Sequence, residues 1–211
     1  MAEADAPADL VALPFSVAII LVVLSYTWVI EPIAPRWVRH VPTVLVTGLA
    51  VWRAVKTGEW GLKRSEFFPA LRWALALTAV AVSATALVGW ALGTWHDRRD
   101  VWGNLAALTP WGIGQQFALQ TVLLREAQAA MSPRKAIALA ALVFGVLHLP
   151  NPVLAPLTFF GALGWCWIYD RHPNLIPLGL SHAIATLAIL YAFDDAITGR
   201  LRVGRAYLML R

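Results

Sequence analysis

The chain carries 29 charged residues, and 28 of them lie outside seven long apolar stretches. Those stretches, 11–30, 41–55, 73–95, 105–124, 136–150, 153–169 and 175–193, total 129 residues and hold one charge, Arg53. A helix lying on a water-soluble core places charged residues on its outer face at the 3.6-residue period. These stretches are instead apolar on every face, and most approach the ~20 residues that cross a bilayer. Only 14% of the 211 residues are charged, against ~25% in ordinary globular domains. The chain is therefore expected to be all-α, a polytopic helical membrane protein with about seven (six to eight) transmembrane helices.

Other classes are excluded by the same pattern. The net charge of +5 comes from Lys and Arg scattered through short loops with no basic face, which suits membrane topology rather than nucleic acid. The single cysteine, Cys166, leaves no disulfide and no thiolate-held cofactor. The acidic N-terminus, MAEADAPADL, is unlike a secretory signal, so 11–30 is expected to be a retained anchor. Stretches 11–30, 73–95, 105–124 and 175–193 are the clearest spans. The second has only twelve uncharged residues between Arg39 and Arg53, so it is expected to be short or tilted, with its arginines reaching towards headgroups. Residues 56–72 suit either a loop or a short interfacial helix. Leu149, Pro150, Asn151 and Pro152 separate the fifth and sixth stretches, which implies a tight helical hairpin or one sharply bent helix. Trp28, Trp37, Trp52, Trp73, Trp95 and Trp102 sit near expected span ends, where amphipathic rings favour the headgroup layer. With no repeat and no low-complexity linker, residues 1–211 are expected to form a single membrane domain. Basic residues divide nine to eight between the two sides, so orientation stays open.

Polar side chains at membrane depth are costly unless paired, which makes them the first candidates for function. Three groups stand out: Gln115, Gln116 and Gln120 in QQFALQ; Phe144 and His148 in FGVLH; and Ser181, His182 and Thr186 in SHAIAT. Each contains an i, i+4 pair sharing one helix face, so three helices are expected to converge on one buried site. Gln, Ser and Thr also serve as interhelical hydrogen-bond glue without chemistry. No carboxylate lies in any stretch to complete a metal site with His148 and His182, so neither a metal nor any other cofactor is expected.

Over residues 105–193 this arrangement resembles the CPBP or Abi family, the type II CAAX prenyl endopeptidase-like intramembrane proteases. The family pattern is Glu-Glu-x-x-x-Arg on one span, Phe-x-x-x-His on a later one, and His-x-x-x-Asn near the end. Phe144 and His148 fit the second motif and His182 fits the third; FGVLHLPNP and FFGALGWCWIYDRHPNLIPLGLSHA also look like the family. Gln115 and Gln116 stand at the glutamate positions, Gln120 at the arginine and Thr186 at the asparagine. The resemblance implies peptide-bond hydrolysis in or beside the membrane, with a glutamate as general base and the histidines orienting water or stabilising the oxyanion. A carboxamide takes up no proton near neutral pH, so His148 or His182 would have to act as base. The alternative is a non-catalytic homologue, a binding or regulatory module for a membrane peptide or a prenylated or lipidated tail. Glu126, next to Arg125 and beyond the motif, reads as an interfacial charge. A small transporter is disfavoured, since neither paired intramembrane charges nor repeated halves are visible. The location implied is the bacterial inner (plasma) membrane, with the lipid bilayer as the one certain partner.

Overall fold

Prolines, glycines and capping carboxylates set where the helices begin and end. The computed structural model describes residues 14–31, 33–97 and 100–210. The acidic N-terminus and the first residues of the expected anchor lie outside them. Helix α1 (Phe15–Ser25) starts directly after Pro14 and continues through a π-helical stretch, Tyr26–Ile30. Helix α2 (Val41–Thr57) has Pro42 in its first turn, where the missing N–H costs nothing, and stops at Gly58, whose φ of 72° suits glycine. Then come α3 (Phe67–Ala91), α4 (Val101–Phe117), α5 (Arg125–Ala130), α6 (Pro133–Val146), α7 (Leu154–Arg171) and α8 (Leu175–Ala192). The short α9 (Asp195–Thr198) and α10 (Gly204–Leu208) follow. Among the described residues there is no strand, only an isolated bridge between Leu62 and Asn174. All-helical secondary structure is what the charge pattern demanded.

Helical backbone runs on from α4 through a π-helical stretch, Ala118–Leu124, into α5, a rod about 45 Å long at 1.5 Å per residue. Every residue of that π stretch is buried, so it passes through the middle of the bundle. Helix α8 packs along both α3 and α4. Small residues permit the approach: a Cβ on Gly112 would stand 2.7 Å from the carbonyl oxygen of Gly179. Membrane helices, which gain little hydrophobic drive from each other, associate through such close contacts. Outward faces are apolar, with Leu75, Leu87, Val88 and Trp90 of α3 exposed. Among the described residues two helices, Arg64–Ala91 and Leu175–Ala192, are long and apolar enough to cross a bilayer, and the shorter Phe15–Ile30 is also apolar. Helix α6, with 14 residues, reaches only about 21 Å, short of a ~30 Å hydrocarbon core.

Several details differ from the sequence expectations. Arg53 does not reach for headgroups; it is buried, 3.8 Å from Glu59 and 3.6 Å from Glu126. Glu126 is not a free interfacial charge either. Its carboxylate accepts the backbone N–H groups of Phe15 (3.2 Å) and Ser16 (2.9 Å), closing the start of α1 where unpaired donors and the helix dipole favour an anion. Arg125 pairs with Glu59, and Gln128 bridges Arg125 to Asp170 with 2.7 Å bonds on both sides. The stretch before α3 is neither a free loop nor a separate interfacial helix. The N–H of Leu175 donates to Gly61 (2.8 Å) and that of Lys63 to Pro173 (3.1 Å), and from Phe67 the chain is already α3.

The two expectations for residues 149–152 resolve to the hairpin, with α6 packed against α7. Asn151, fully buried, holds it. Its Oδ1 accepts the N–H groups of Val153 and Leu154 at 3.0 Å each, and its Nδ2 donates to the carbonyls of Thr198 (2.8 Å) and Arg202 (3.0 Å). One side chain thus starts α7 and ties down the C-terminal segment.

Candidate active site

Helix α4 and its π continuation supply the glutamines, α6 supplies Phe144 and the turn that follows it His148, and α8 supplies Ser181, His182 and Thr186. Gln116 and Gln120 are 0% exposed. Gln120 Nε2 donates to Gln116 Oε1 at 2.8 Å, and Gln116 Nε2 lies 3.3 Å from His182 Nδ1. An amide nitrogen only donates, so Nδ1 of His182 accepts and its ring proton sits on Nε2. At His148 the assignment is reversed. Its Nδ1 lies 2.6 Å from the carbonyl oxygen of Phe144, an acceptor only, so Nδ1 carries the proton and Nε2 keeps a free lone pair. The two imidazoles therefore present opposite faces: His182 an N–H donor, His148 an acceptor.

Aromatic rings fix both. His182 stacks on Trp165 (centroids 4.6 Å, 22° between planes) and meets the edges of Trp111 (5.1 Å) and Phe144 (6.0 Å). Phe144 lies 4.9 Å from His148. This ring contact brings the α6 and α8 motifs together, as the sequence expected. Ser181 is engaged in packing, its hydroxyl bonded to Thr78 (2.7 Å) and accepting Trp165 Nε1–H (3.0 Å), so it knits α8 to α3 and α7.

A cavity of about 1040 Å³ opens beside these groups. Gln115, Phe144, His148, Ser181, His182 and Thr186 line it, whereas Gln116 and Gln120 stand behind. Among the described residues, Oε1 of Gln115 and Oε1 of Gln120 are buried without a hydrogen-bond partner. Trp165, Trp111 and Thr78 were not singled out from sequence. Trp111 is one turn before Gln115 and so shares its face; nothing in the spacing flagged Trp165, which comes from α7.

Residues 100–188 match the family model described as type II CAAX prenyl endopeptidase Rce1-like. Over those residues the chain is similar to the CAAX-protease-like family. No curated protein and no solved structure gives a significant match to it. That family is integral to the membrane, and the two long apolar helices and the apolar outward faces of this chain suit the same surroundings. The matched residues contain all eight side chains named above, from Gln115 to Thr186. In this chain the interior groups facing one another are neutral: three carboxamides, two imidazoles and two hydroxyls. Among the described residues no cluster of three His, Cys, Asp or Glu stands ready to hold a metal ion.

Proposed function

We propose that this CAAX-protease-like protein is a binding module that holds a membrane peptide or a prenylated or lipidated tail in its cavity without glutamate-driven cleavage. The observation carrying this reading is the neutral hydrogen-bonded chain Gln120–Gln116–His182, standing where the family resemblance calls for an Arg–Glu arrangement. A carboxamide pair orients a histidine but accepts no proton from water. In this reading residues 1–211 form one membrane domain of about seven crossings in the bacterial plasma membrane, with 105–193 as the family core. His148, His182 and Thr186 face the occupant, with Gln115 at the wall and Phe144 packing between the imidazoles.

Crosslinking in native membranes followed by co-purification tests it. Wild type is expected to recover a partner whose yield falls when Gln116 or His182 is replaced by leucine; unchanged yield counts against the reading. A second reading, hydrolysis with His148 as base, is favoured by the opposed tautomers. His148 Nε2 would take a proton from water as the hydroxide adds to the scissile carbonyl, and His182 Nε2–H would bond the resulting oxyanion. Purified protein that cleaves membrane peptides, and loses that turnover in His148→Ala, would establish the second reading and displace the first. Cleavage gained only by Gln115→Glu with Gln116→Glu and Gln120→Arg would support the first.

A further inference from the structure

The cavity also bears two opposite charges that the chemistry of the histidine site does not use. Glu31, just beyond the π stretch of α1, and Arg202, between α9 and α10, both line it. Burial raises the carboxyl of Glu31 above the usual range, and the nearby Arg202 charge offsets this in part. Both residues line the same space, and the Arg202 charge is near enough to act on the Glu31 carboxyl, yet among the described residues no ion pair within 4 Å joins them.

Their relative position is built rather than incidental. Asn151 holds the Arg202 carbonyl at 3.0 Å, the N–H of Gly204 donates to the Leu149 carbonyl at 2.8 Å, and Gly204 sits so close to Thr27 that no side chain would fit. The C-terminal segment is thereby fixed against the end of α1. Trp28 and Trp37 are exposed on either side of Glu31 in the sequence, as aromatic rings are at the headgroup layer. Beyond the two charges the wall is mainly apolar, including Ile19, Val23, Leu77 and Val80.

We infer that Glu31 and Arg202 in the cavity bind the headgroup of a zwitterionic phospholipid, the carboxylate taking the ammonium and the guanidinium the phosphate, with an acyl chain along the apolar wall. Charge complementarity selects this occupant. A headgroup of one sign would satisfy only one of the two charges. The inference deepens the binding-module reading by naming the class of amphiphile in the same cavity.

The test uses the full chain in detergent micelles, titrated with phosphatidylethanolamine or phosphatidylglycerol of the same acyl composition, with bound lipid counted by native mass spectrometry. Phosphatidylethanolamine should be retained about five-fold more than phosphatidylglycerol. Glu31→Gln should bring the two lipids level while phosphatidylglycerol binding persists, which also reports that the variant is folded. Arg202→Gln, at an exposed position, should weaken both lipids, and Arg205→Gln should change neither. Equal retention of the two lipids by wild type overturns the inference, as does an ethanolamine preference that survives both Glu31→Gln and Arg202→Gln. Crosslinked partner recovery depends on Gln116 and His182, so a failure here leaves the binding-module reading separately testable.

Discussion

Placing charge on the buried Gln116 and Gln120 one at a time and then together should reveal how tightly the two positions are coupled. Gln120 is fully buried and its amide meets Gln116 at 2.8 Å. Gln120→Arg alone places an unpaired cation there, at a cost of about 2.5–3.5 kcal/mol for the charge, plus ~1–3 kcal/mol for the added bulk. Gln116→Glu alone removes the donor to His182 and should cost about 1–3 kcal/mol. In the double variant the new carboxylate and guanidinium occupy positions already within hydrogen-bond reach, so the charge cost is largely recovered while the bulk cost remains. The bulk contribution is common to the single and double arginine variants, so a double-mutant cycle removes it and isolates the pairing. The coupling should reach about 2–3 kcal/mol, the upper part of the range for contacting residues. Reversible denaturation in mixed micelles, followed by tryptophan fluorescence, measures all four corners; Trp165, stacked on His182, is a reporter inside the site. A coupling below about 0.5 kcal/mol would refute the reasoning, because it would mean that the two positions do not share one closed environment.

Three further outcomes are expected. Asn151→Leu, which removes four hydrogen bonds and leaves two helix-start N–H groups and two carbonyls unpaired, should cost about 2–4 kcal/mol; hydrogen exchange should accelerate across 198–204, and unchanged protection there would contradict the tether. Gly112→Ala should lower thermal stability, since its Cβ would stand 2.7 Å from the Gly179 carbonyl oxygen, with a penalty of about 1–3 kcal/mol; Gly114→Ala, with nothing within 4 Å, should not, and equal effects would disprove the close α4–α8 approach. The hydrogen bond from His172, and then that from Lys63, hold the Glu66 carboxyl below its ordinary 4.5. A lowered carboxyl contributes stability that is complete above the ordinary value and lost as pH falls through the lowered one. Acid titration should therefore loosen the start of α3 only below about pH 4.5, and Glu66→Gln should remove that dependence, as read by hydrogen exchange at residues 63–67.

Much of the site was legible because it rests on local periodicity. Gln116 and Gln120 share a face through their spacing of four on continuous helical backbone, whereas His148 lies in the turn past the end of α6 and meets Phe144 through the bond of its Nδ1 to the Phe144 carbonyl. Helix ends were less legible. Spans were bounded by the nearest charge, but Asp100 caps α4 by accepting the Gly103 N–H at 2.9 Å, and α3 admits Arg72. Capping and interfacial arginines let a helix extend past its apolar stretch. Arg53 was misplaced because its partners, Glu59 and Glu126, are six and 73 positions away, and no local pattern announces a long-range ion pair.

The sequence by itself determined the environment, the helical class and the identity of the polar groups inside, because bilayer insertion and helix periodicity act residue by residue. Only the tertiary structure decided how those groups are used. It set the tautomer of each histidine through a partner on another element or turn, stood Gln116 and Gln120 behind the cavity wall, and brought Glu31 and Arg202 to that cavity. These outcomes depend on which helix faces meet, and meeting is fixed by packing between residues far apart in the chain.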